Sequence, residues 1–74
     1  GYNIYPAEIE NVIADHPLVV AAAVFGIPHE KWGETPLAVV VVAPDTQISE
    51  QDIIDLVSQR LGSFKKPAQV VFTT

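Results

Sequence analysis

Leu18-Val19-Val20-Ala21-Ala22-Ala23-Val24-Phe25-Gly26-Ile27 and Leu37-Ala38-Val39-Val40-Val41-Val42-Ala43, separated by the polar connection Pro28 to Pro36, decide the fold. Both runs are short, rich in Val and Ala and closed by turn residues, which reads as two strands joined as a hairpin. The first run is almost unbroken in its apolar character and bounded by Pro17 and Pro28, so it is expected to be buried on both faces and central in its sheet. Pro44-Asp45 turns the chain after the second run.

Downstream, Ser49 and Asp52 form a capping box with Asp in place of the usual Glu, and Ile53, Ile54, Val57 and Leu61 line one helical face up to a stop at Gly62. After a turn from Ser63 to Pro67, Gln69 to Phe72 is a short β-rich segment. Upstream, Pro6 suits the first helical position, and Glu8 and Glu10 fall near the positive end of the helix dipole. Ile9, Val12 and Ile13 then recur at helical spacing until Pro17 forbids continuation. The order is helix, strand, strand, helix, strand. The economical α+β arrangement is a three-stranded antiparallel sheet with both helices on one face and the last strand beside the first.

Seventy-four residues suit one small domain of modest independent stability. Apolar residues make up 49% and charged residues 18%, richer in core formers than a disordered chain. Neither apolar run approaches the roughly 20 residues of a transmembrane helix. A net charge of −5 provides no basic stripe for phosphates, which argues against nucleic-acid binding. Three of the four basic residues nevertheless gather at Arg60, Lys65 and Lys66, where they either solubilise a loop or meet an anion. The absence of cysteine removes disulfides and thiolate metal sites, and with no signal-like start the expected location is the cytoplasm.

A self-contained active site is hard to find. The two histidines are separated by the first strand, no serine lies in a nucleophile-elbow context, and no P-loop or dinucleotide fingerprint occurs. His16, His29 and Glu30 have no repeated ligand spacing, so no metal site is expected. His16, between a helix end and Pro17, is expected only to interact with the last helical carbonyls.

Larger motifs carry more. Gly1-Tyr2-Asn3-Ile4-Tyr5-Pro6-Ala7-Glu8-Ile9-Glu10 runs a glycine loop into a helix, and Asp15-His16-Pro17-Leu18-Val19 follows. Then come Gly26-Ile27-Pro28-His29-Glu30-Lys31-Trp32-Gly33-Glu34 and Leu61-Gly62-Ser63-Phe64-Lys65-Lys66-Pro67. Taken in order, these resemble the C-terminal domain of the acyl-adenylate-forming (AMP-binding) enzyme superfamily, in particular its acyl-CoA synthetases, over essentially the whole chain. The resemblance implies a parent of the fatty-acid or a related acid-activating branch, with a large N-terminal domain that binds ATP, Mg²⁺ and a small-molecule carboxylic acid. That domain forms an acyl-adenylate and pyrophosphate; the small domain then rotates so that the CoA thiol can attack.

The resemblance places Gly1 and Tyr2 in the loop that lines the pantetheine tunnel, with Asn3 beside them, and CoA contacts at Trp32 and at Phe64-Lys65-Lys66. An aromatic ring near adenine and ammonium groups near phosphate make physical sense. For Tyr2 and Trp32 the plainer readings are packing at the helix entry and cover for the sheet edge. Glu34 is expected to fix a turn and the domain interface rather than to act catalytically. The family's adenylation lysine lies in a Pro-x-Thr-x-x-Gly-Lys segment after the last strand. The stretch to Thr74 is therefore expected to be a partial domain, inactive and without bound cofactor by itself. Asn3-Ile4-Tyr5-Pro6-Ala7 differs from the Arg-Ile-Glu type of peptide-synthetase adenylation domains, which favours CoA as acceptor. The alternatives are such an adenylation domain, a luciferase-like oxygenase, or a non-catalytic ferredoxin-like regulatory or interaction module.

Overall fold

A computed structural model describes residues 5–31 and 33–74. Helix α1 spans Pro6–Ala14, β1 Val19–His29, β2 Gly33–Val42, α2 Glu50–Leu61, a single 3₁₀ turn η1 Ser63–Lys65, and β3 Gln69–Thr73. The element order matches the sequence reading, and the local causes are visible. Pro6 opens α1, where its missing N–H costs nothing. Ser49 Oγ accepts the Asp52 N–H while an Asp52 carboxylate oxygen accepts the Ser49 N–H, closing the capping box at 3.1 and 3.0 Å.

The sheet order is β1-β2-β3; β1 and β2 pair antiparallel, β2 and β3 parallel. Two expectations are corrected. The last strand lies beside the second, so the sheet is mixed, and the central strand is β2 rather than β1. The physical reason is the long connection through α2 and η1. It carries the chain back along one face of the sheet, so β3 starts level with Leu37 and runs in the direction of β2. β2 places Ala38, Val40 and Val42 inward and buried, whereas β1, with three small alanines, leaves Val20 69% and Phe25 54% exposed. An edge position also explains how Pro28 sits within β1, since no ladder donor is needed on the free side.

Ile9, Val12 and Ile13 of α1 and Ile53 and Val57 of α2 meet Val24, Ala38, Val40, Val42 and Val70 in one core between the helices and one sheet face. Both free edges are closed by helix carboxylates. Glu10 accepts the Val24 N–H of β1 at 2.8 Å, and Glu50 accepts the Val70 N–H of β3 at 2.8 Å. Each bond satisfies an edge donor and blunts the edge against further strand pairing. Among the described residues no helix is long and apolar enough to cross a membrane.

Candidate functional site

The turn after α2 is where the structure concentrates the sequence-predicted residues. Gly62 leaves the helix with φ 98° and ψ 153°, a backbone region that is essentially glycine's alone. The Phe64 ring lies across it so closely that a β-carbon on Gly62 would stand 3.0 Å from Cε1. The Lys65 N–H donates to the Gly62 carbonyl at 3.1 Å, closing η1. Lys66 is extended at φ −65° and ψ 146°, as the residue before a proline prefers. Pro67 is fully buried, and the Ala68 N–H donates to the Pro36 carbonyl at 2.9 Å. The turn is thus fastened to α2 at one end and to the sheet at the other.

Its three side chains have different surroundings. Phe64 is 63% exposed. The Lys65 ammonium binds Glu8 Oε1 at 2.7 Å across 57 residues of sequence and lies 5.9 Å from the Phe64 ring centroid. Lys66 is exposed and, among the described residues, makes no ion pair. A second bridge, Arg60 to Asp15 at 3.0 Å, links the ends of α2 and α1, so both helices are joined along the same seam. Glu8 belongs to the first turn of α1, the helix to which the glycine loop is attached in sequence. The structure therefore brings Lys65 of this turn to the start of α1. Gly1 and Tyr2, with Asn3, lie outside the described residues, as does Trp32.

The hairpin tip is separate. Gly33 turns it with φ 82°, and the Lys31 N–H donates to His29 Nδ1 at 3.0 Å. The Glu34 carboxylate lies over Gly26, whose added β-carbon would meet Oε1 at 2.8 Å. Glu34 thus packs strand against strand. His16 departs from expectation: its Nδ1 accepts the Leu18 N–H at 3.1 Å, so the ring serves the turn into β1 rather than the helix carbonyls. Among the described residues no cluster of His, Asp or Glu is arranged for a metal ion. Sequence reasoning gave Glu8 and Glu10 to the helix dipole and missed their specific partners, Lys65 and the Val24 amide. No local pattern signals them.

Comparison with known proteins adds a family. The sequence profile of the AMP-binding enzyme C-terminal domain matches residues 8–74. This chain belongs to that family. The AMP-binding enzyme C-terminal domain described here is 49% identical over 72 residues to a long-chain-fatty-acid–CoA ligase of Mycobacterium tuberculosis, covering 97% of this chain and 14% of the ligase. It is 50% identical over 72 residues to a fatty acid–[acyl-carrier-protein] ligase of Streptomyces coeruleorubidus, with 97% and 14% covered. A solved Mycobacterium tuberculosis fatty acyl CoA synthetase superposes with a TM-score of 0.86 at 46% identity, over 99% of this chain and 14% of that one. The chain spans about a seventh of the length of the curated relatives it matches. The mixed sheet and the turn after α2 are therefore features of a domain that, in these relatives, is a small part of a much longer enzyme.

Proposed function

We propose that this domain is part of an ATP-dependent acid–thiol ligase and supplies one wall of its CoA site. In the first half-reaction the carboxylate attacks the α-phosphorus of ATP, giving acyl-adenylate and pyrophosphate. In the second, the thiol sulfur attacks the acyl carbon and AMP leaves. ATP, its Mg²⁺ and the carboxylic acid belong on this reading to a large preceding domain of the same polypeptide, in the cytoplasm, and the domain described here acts in the second step.

The observation that carries the reading is the turn Phe64-Lys65-Lys66. Phe64 and Lys66 are both exposed on one short turn fastened at both ends, and Lys65 between them is bound to Glu8 in the first turn of α1. Adenine stacks on such a ring, and the 3′-phosphate or pyrophosphate of CoA suits such an ammonium. Gly1 and Tyr2 are proposed to line the pantetheine arm, Trp32 to be a further CoA contact, and the adenylation lysine to lie in a segment following β3. The seventy-four residues alone are expected to bind no cofactor and to be inactive.

The match to an acyl-carrier-protein ligase favours a second reading of the acceptor. A carrier's pantetheine arm has no adenosine, so the two acceptors separate experimentally. In the full-length ligase, Phe64→Ala and Lys66→Gln are expected to raise KM for CoA while leaving acid-dependent pyrophosphate exchange unchanged. If both variants leave KM for CoA unchanged, the turn is not a CoA site; thioester formation on a carrier protein alone establishes the second reading.

A further inference from the structure

We propose that Glu8 is a positioning residue for this turn: by holding Lys65 it sets Phe64 and Lys66 against the first turn of α1. The inference rests on the CoA reading above. Two adjacent lysines suggest two phosphate ligands, but the structure divides their work. The Lys65 ammonium is within 2.7 Å of Glu8 Oε1, with side chains 30% and 42% exposed, so an incoming phosphate would have to displace a carboxylate already in place. Lys66 has no such competitor among the described residues.

The geometry gives the pair a second consequence. η1 is fixed to α2 through the Gly62 N–H, which donates to the Ser58 carbonyl, and to the sheet through the Ala68 N–H, which donates to the Pro36 carbonyl, both backbone bonds. The Glu8 to Lys65 bond ties it to α1 by side chains, across 57 residues. It therefore sets how the turn faces the helix that follows the glycine loop, the two parts of the site that lie furthest apart in sequence. A pair this exposed shifts a conformational population by only about two- to fivefold.

The test uses the full-length ligase with four variants: Glu8→Gln, Lys65→Gln, the charge exchange Glu8→Lys with Lys65→Glu, and Lys66→Gln. Glu8→Gln and Lys65→Gln are expected to raise KM for CoA about two- to fivefold, with pyrophosphate exchange unchanged, and the charge exchange to bring KM back within twofold of the parent. Circular dichroism and a thermal transition matching the parent's show that the variants fold. A direct phosphate contact by Lys65 would appear as a loss in Lys65→Gln well beyond that of Glu8→Gln, unrestored by the exchange, and would overturn the proposal while leaving the CoA site intact. An effect of Lys66→Gln with none from either single variant at the pair overturns it equally. No effect on KM for CoA from Lys66→Gln or from Phe64→Ala removes the CoA reading, and this inference with it.

Discussion

Replacing Gly62 by alanine probes how the turn is built. With φ 98° and ψ 153°, Gly62 occupies a region that costs a side-chain-bearing residue about 1–3 kcal/mol. The new β-carbon would stand 3.0 Å from Phe64 Cε1 and 3.4 Å from Cδ1, so the ring must retreat by a few tenths of an ångström. Because the ring is 63% exposed it can do so, at about 0.5 kcal/mol of rotamer strain. Alanine restricts the unfolded chain and returns about 0.4–1 kcal/mol. The net loss is then about 0.5–3 kcal/mol. A 74-residue domain has only about 4–11 kcal/mol in total, so the transition should fall by about 2–24 °C. Thermal unfolding followed by circular dichroism measures this. Gly33→Ala is the internal control: its φ is also positive at 82°, but among the described residues nothing lies within 4 Å of an added β-carbon, so the backbone cost alone is expected. A Gly62→Ala shift below about 2 °C would refute the strain argument. If adding Phe64→Ala brings back none of the difference between the two glycine sites, the ring contact contributes nothing.

Glu50→Ala removes the acceptor of the Val70 N–H and an acid from the first turn of α2. A loss of about 1–2 kcal/mol is expected in urea titration, with Glu50→Gln losing about half as much and Val70 amide exchange accelerating in both. Ile53 is fully buried, so Ile53→Ala should cost about 2–5 kcal/mol and Ile53→Val about 0.5–1.5, read from the urea midpoint; equal losses would contradict the packing described. Phe64→Ala and Lys66→Gln should each raise KM for CoA about fivefold in the full-length ligase and leave KM for an acyl-carrier protein unchanged. Steady-state kinetics with the two acceptors decides whether the turn reads the adenosine end of CoA.

Several elements were legible in the sequence because their causes lie within a few residues. Pro6 and Pro17 bracket α1, Ser49 and Asp52 cap α2, Gly62 stops it, and the spacing of Ile9, Val12 and Ile13 chose the buried face that the structure shows. The family motifs were legible for a related reason, since each occupies a contiguous stretch. The rank of the two apolar runs was not. An unbroken apolar run predicts burial without saying how much area it buries, and Ala21, Ala22 and Ala23 bury little. The four consecutive valines of β2 took the centre, with β1 on one side and β3 on the other.

By itself the sequence determined the order of the elements, the two-helix core and the kinship of the chain, all of which depend on local spacing, caps and contiguous motifs, whereas the hairpin strands run on into the stretch read as their connection, to His29 and from Gly33. Only the tertiary structure decided that β3 pairs parallel with β2, that Glu10 and Glu50 close the sheet edges, and that Lys65 answers to Glu8 while Lys66 stays exposed. Those outcomes join residues 14 to 57 positions apart, and such partners are chosen by how the helices settle on the sheet, which no local pattern records.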